Sequence, residues 1–170
     1  MRIAQRLGVM SCIATTRGEL SDFYKLCIDI SQDKNFHFQY SKDFLQYLFD
    51  HNSKNGTEAK LFLAKIEDEI AAGAFILRTG KNCHYMFGSV NRQYAKQRVG
   101  EFVQWSVIEW ACQQGCSLYD LEGIDEIKNP GVTSFKKKMG GQEITLKNTH
   151  VYSFSYIAKI LSKCILKKIS

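Results

Sequence analysis

Three apolar stretches, Ala59 to Ile66, Ile70 to Arg78 and Asn82 to Val90, follow one another with almost nothing between them. Glu67-Asp68-Glu69 and Thr79-Gly80-Lys81 are the only connections, and links that short cannot carry a crossover. The segment therefore reads as an antiparallel meander. It is followed by the clearest helix of the chain, Val99 to about Gln113, in which Val99, Phe102, Val103, Ser106, Val107, Trp110 and Ala111 fall on one stripe and Gly115 supplies the stop. A meander with a helix behind it needs one shared core, and 170 residues suffice for one domain but are few for two.

The flanks extend this into an α+β pattern. Val9 to Ala14 reads as a strand, and Thr15 or Thr16 can cap a helix running to about Ile30, with Phe23, Leu26, Cys27 and Ile30 at helical spacing. Ser41 opens a second helix through about Asn52, and Asn55-Gly56 makes the turn into the meander. After the long helix, SLYDL (117–121) is a short buried strand broken by Gly123. A short helix follows Pro130-Gly131, with Thr133 or Ser134 near its start and Gly140-Gly141 as its stop. A last strand is expected from Glu143 to about Thr149. The expected architecture is a mixed central sheet flanked by helices. A single proline and scattered glycines mark no linker, so residues 1–150 read as one domain and 151–170 as a separate C-terminal helix.

Chemistry concentrates between Ser117 and Gly141. The strand delivers Asp120 and Glu122 to its C-terminal edge, and the short helix carries Phe135, Lys136, Lys137 and Lys138. Adjacent lysines fan out by about 100° each around a helix, so one or two ammonium groups can face a cleft while the rest are solvated. Asp120 has two readings, a carboxylate that orients or deprotonates an amine and a turn acid that accepts backbone N–H groups. Phe135 is either a platform for a base or an apolar plug.

The order Tyr119-Asp120, Gly123-Ile124, then Gly131-Val132-Thr133 leading to Phe135-Lys136 and Gly140-Gly141 resembles the end of the acyltransferase-like domain in the FemABX family. The resemblance implies a GNAT-like fold, of the acyl-CoA N-acyltransferase type. It also implies transfer of an amino acid from aminoacyl-tRNA to an amine on a lipid- or nucleotide-linked peptidoglycan precursor, with no cofactor beyond that co-substrate. In those terms Lys136 and Asp120 are the catalytic candidates. Phe135, Lys137, Arg98, Lys96, Tyr119 and Glu122 are the substrate-binding candidates. Full-length members of the family carry two such domains, so a partner domain or a homo-oligomer is expected to complete the cleft.

Two other classes stay open, an acyl-CoA-dependent N-acyltransferase and a non-catalytic module that binds RNA or membrane. A CoA enzyme of this fold places a glycine-rich loop before the long helix to cradle pyrophosphate. Here Gln97-Arg98-Val99-Gly100-Glu101-Phe102 keeps the first glycine and has Phe102 in place of the second, with Glu101 adding a repelling charge.

The six cysteines form no CxxC pair and the four histidines show no metal spacing, so no metal and no disulfide framework is expected and a reducing cytoplasm is the expected compartment. His84, within a strand, reads as structural. The formal net charge of +6 favours an anionic partner. From Ile144 to Ser170 there is no acidic residue, and Lys159, Lys163 and Lys167 stack on one side of the C-terminal helix. That helix is suited either to the inner face of an anionic membrane or to packing on the domain or a partner chain.

Overall fold

The computed structural model describes residues 8–51 and 56–145, and its contacts divide the chain into two compact units, one ending at Ile124 and the other beginning at Asp125. The first contains a five-stranded sheet built from β1 (Met10–Ile13), β2 (Thr57–Ile66), β3 (Glu69–Thr79), β4 (Asn82–Val90) and β5 (Leu118–Asp120), in that spatial order. The first four strands are antiparallel to their neighbours, and β5 joins β4 in parallel. Helices α1 (Arg17–Asp33) and α2 (Lys42–Asp50) lie between β1 and β2 in sequence, and α3 (Val99–Gln113) lies between β4 and β5. The expected meander is present, with Ile66 opposite Glu69 and Thr79 opposite Asn82, so each hairpin turns through two residues. Two-residue hairpins call for a left-handed backbone, and Gly80 supplies it at φ 58° without the Cβ penalty that Glu67 bears at φ 55°.

Strand alternation divides the core between the two sheet faces. On one, Phe62, Ala64, Ala72, Ala74, Ile76 and Cys83 pack with Val99, Val103 and Val107 of α3. On the other, Leu61, Leu63 and Phe75 pack with Leu20, Phe23 and Cys27 of α1 and Leu45 of α2. Both faces are covered, so β2 and β3 are apolar nearly throughout. Gly73 of β3 is the point of closest approach, because a Cβ there would sit 2.5 Å from Cε2 of the Phe23 ring.

Local chemistry fixes the helix ends. Thr16 and Glu19 form a reciprocal capping box at the start of α1, and Ser41 caps α2 by accepting the Phe44 N–H at 3.2 Å. Glu19 also binds Lys65 of β2 at 2.8 Å, tying α1 to the sheet. The Lys65 hydrogen bond is the main reason that its carboxyl is held down at about 2, from an ordinary 4.5. A carboxyl depressed by folding stabilises the native state above its unfolded pKa, and the contribution is lost as pH falls through the folded value. The stability difference between the wild-type protein and Glu19→Gln is therefore expected to be full above about pH 4.5 and to shrink toward pH 2. Urea titrations at stepped pH measure it; a difference constant down to pH 2 contradicts the assignment.

Several boundaries differ from the sequence expectation. Helix α1 runs three residues past Ile30, and β5 is only three residues long. The short helix α4 (Pro130–Lys138), in the second unit, begins at its proline, which fits the first turn because that N–H has no helical partner. Thr133 and Ser134 lie inside it. The Thr133 hydroxyl donates to the Asp125 carbonyl at 2.9 Å and accepts the Asp125 N–H at 3.0 Å. Of the strand expected from Glu143, residues 143–145 are not extended into a ladder. The remainder, with the C-terminal helix expected over 151–170, lies outside the described residues. No helix among the described residues is long and apolar enough to cross a membrane.

Candidate active site

The site is built where β4 and β5 part. Their parallel ladder covers Asn82 to His84 against Leu118 to Asp120 and then stops. Beyond His84, the run Tyr85 to Val90 continues along β3 with no strand on its β5 side among the described residues. His84 and Asp120 are thus cross-strand neighbours at the last rung. Glu122 follows two residues later in the left-handed region at φ 63°, and its N–H donates to Asp120 Oδ1 at 2.7 Å. That turn swings the Glu122 carboxylate back onto the histidine, whose Nδ1 lies 3.0 Å from Glu122 Oε1 and 3.8 Å from Asp120 Oδ2.

All three side chains are between one third and one half exposed, open enough to meet a substrate. One ligating atom from each lies within 4.8 Å of the others, a spacing a divalent cation could bridge. The hydrogen bond between His84 and Glu122 accounts for the arrangement without one.

The two faces of β4 differ in character at this point. His84 shares its face with its cross-strand partner Leu77 and with Phe87. A bulge at Met86, between the pairs Phe75–Phe87 and Ile76–Tyr85, re-aims the strand there. Phe87 becomes the hub of an aromatic wall, with ring centroids 5.4 Å from Phe75, 5.0 Å from Phe38 and 4.9 Å from Tyr40. On the opposite face, Tyr119 donates its hydroxyl to Oε1 of the buried Gln104 of α3 at 2.6 Å, and Gln104 also hydrogen-bonds Tyr85. Burial drives both phenols well above their ordinary range, so they act as neutral hydrogen-bonding groups.

The expected site residues separate accordingly. Asp120 and Glu122 come together, and they are joined by His84, whose place within a strand predicts only a structural residue. Tyr119 packs behind the sheet against α3, on the far face from Asp120. Lys96 lies in a 3-10 turn (Arg92–Gln97), and Arg98 in the left-handed region precedes α3 without capping it through its side chain. Val99, Gly100 and Phe102 are buried there, and Phe102 packs into the core shared with the sheet, so an apolar core side chain stands where a phosphate-cradling loop would carry its second glycine.

In the second unit, α4 carries Phe135, Lys136 and Lys137. Lys137 pairs with Glu126 at 2.7 Å and with Glu143 at 3.0 Å, and these two carboxylates raise the pKa of its ammonium. Lys137 thus ties α4 to its flanking segments, and Lys136 occupies the preceding helical position.

A meander with a bulged fourth strand, a parallel fifth strand that diverges from it and a helix between them defines a GNAT-type acyltransferase fold. The family model described as an acetyltransferase (GNAT) domain matches residues 1–137. The chain belongs to that family, as a FemABX-like GNAT domain. It is 30% identical over 125 residues to the aminoacyltransferase FemA of Staphylococcus epidermidis, a match covering 68% of this chain and 30% of that protein. It is 26% identical over 93 residues to the lipid II:glycine glycyltransferase of Staphylococcus saprophyticus subsp. saprophyticus, covering 51% of this chain and 21% of that protein. The chain thus spans less than a third of the length of these relatives. Among solved structures, FemX aligns with a TM-score of 0.63 at 14% identity over 73% of this chain and 46% of that one. An aminoglycoside acetyltransferase from an uncultured soil metagenomic sample aligns at 0.62 and 13% identity over 88% and 99%.

Proposed function

We propose that this chain is the acyl-transfer domain of an aminoacyltransferase that moves an amino acid from aminoacyl-tRNA to an amine on a peptidoglycan precursor. The observation that carries the reading is the carboxylate-lined strand end at the parting of β4 and β5, in a domain whose curated relatives are named as aminoacyl and glycyl transferases. A primary amine acceptor arrives with positive charge, and two half-exposed carboxylates at the end of the sheet attract and orient it. Aminolysis then places negative charge on the ester carbonyl oxygen, which an ammonium stabilises as an oxyanion-hole donor does. Lys136 is assigned that role. Arg98, Lys96, Phe135 and Lys137 are assigned to the tRNA end, and the basic C-terminal segment to an anionic membrane surface on the cytoplasmic side. The match covers 30% of FemA and 21% of the glycyltransferase, and in this reading a further domain completes the acceptor cleft.

A second reading is an acyl-CoA-dependent N-acyltransferase, which the family match supports and the buried Phe102 opposes. The test mixes the protein with charged tRNA or acetyl-CoA and a lipid- or nucleotide-linked muropeptide, and follows the acceptor by mass spectrometry. The expected result is a gain of one aminoacyl residue, reduced about 10²- to 10³-fold by Lys136→Ala, the scale of losing one oxyanion donor. Gain of an acetyl group instead selects the second reading.

A further inference from the structure

We propose that His84 is the proton acceptor of the transfer reaction, working as one unit with Glu122. This deepens the reading above and rests on it. Oδ1 of Asp120 is occupied by the Glu122 N–H at 2.7 Å. Oε1 of Glu122 accepts from His84 Nδ1 at 3.0 Å. With its Nδ1–H donated to a carboxylate, a neutral imidazole carries its lone pair on Nε2, and among the described residues Nε2 of His84 has no hydrogen-bond partner. The ring is held at one nitrogen and open at the other, and the side chain is about one third exposed. That is the arrangement of a general base with an orienting acid, in which the carboxylate fixes the tautomer and steadies the imidazolium that forms. It also stands at the last rung of the β4–β5 ladder, where β4 runs on with no strand beside that edge among the described residues.

The step balances with the substrates already named. Nε2 takes a proton from the ammonium form of the acceptor, and the lone pair so freed on nitrogen forms the C–N bond to the ester carbonyl carbon. The C–O bond to the ribose then breaks with its electron pair on oxygen, which takes the second proton from that nitrogen. The imidazolium releases the first proton to water. Ester and ammonium become amide, alcohol and a solvated proton, and His84 ends as it began. Asp120 is left to hold the approaching amine through Oδ2, and Glu122 is a positioning residue.

The test compares acceptors that need a base with one that does not. With a lysyl-type alkylamine, His84→Gln is expected to lower transfer about 10²- to 10⁴-fold. With hydroxylamine, a nucleophile that is already neutral at pH 7, the same variant is expected to stay within about threefold of the wild type after subtraction of the uncatalysed rate. His84→Ala is expected to regain alkylamine transfer as imidazole is added, and Glu122→Gln to lose rate without such rescue.

Equal losses for both nucleophiles, with no imidazole rescue, would make His84 a structural residue and overturn the proposal. So would a wild-type protein inactivated by EDTA and restored by Mn²⁺, which would give the cluster to a cation. If the wild-type protein uses acetyl-CoA and not charged tRNA, the aminoacyl reading fails, and the same comparison with acetyl-CoA still decides the role of His84. A wild-type protein inert with both donors overturns both statements, whereas an active one indifferent to His84→Gln overturns only this one.

Discussion

Phe75→Ala is expected to remove about 3–5 kcal/mol of stability, a large share of the 5–15 kcal/mol typical of a domain. Phe75 sits on the central strand β3, fully buried, and its ring stacks on Phe87 at 5.4 Å with an interplanar angle of 6°. Truncation removes the transfer free energy of the ring and leaves a cavity on the α1 face of the sheet that its neighbours, Leu61 opposite it on β2 and the stacked Phe87, cannot collapse to fill. Phe87 loses its base as well, and with it the wall formed with Phe38 and Tyr40 on the same face of β4 as His84. The chemical denaturation midpoint should fall, and acceptor KM should rise in any fraction that remains folded. A shift below about 1 kcal/mol would mean that the aromatic wall is loosely packed, against the contacts that define it.

Gln104→Leu is expected to cost nearly as much by a different route. Leucine is close to glutamine in volume, so packing changes little, but the Tyr119 and Tyr85 hydroxyls lose a shared partner inside the core. A buried polar group left without its partner costs about 1–3 kcal/mol, and two are affected. Gln104→Glu is the informative companion, since it keeps an acceptor for Tyr119 while placing a charge between two buried phenols. It should be at least as damaging at neutral pH and recover as the pH is lowered and the carboxyl protonates. Urea denaturation at two pH values separates the two effects. A leucine variant as stable as the wild type would show that water replaces the amide.

These residues also mark how far the sequence leads. Capping by Thr16 and Ser41, the meander from Ala59 to Val90 and the helix from Val99 to Gln113 are all written in short-range patterns, because a cap, a two-residue turn and an apolar stripe each depend on residues a few positions apart. Asp120 and Glu122 were legible for the same reason, as acids at the end of a brief apolar run before Gly123. Gln104 was not, since it lies beside the apolar stripe and only its tyrosine partners on β4 and β5 justify its burial. His84 was not either. Within its own strand it is one polar residue among alternating ones, and the carboxylate that gives it a role is 38 positions away.

The sequence alone determined the elements from β1 to α4, their order and the location of the acidic strand end, because those follow from local periodicity and turn chemistry. Only the tertiary structure decided which side chains meet. The three-rung register between β4 and β5, the bulge at Met86 and the left-handed turn at Glu122 bring His84, Asp120 and Glu122 to one point. Each of these depends on pairing between distant strands, where a slip of a single residue would send every side chain to the other face of the sheet.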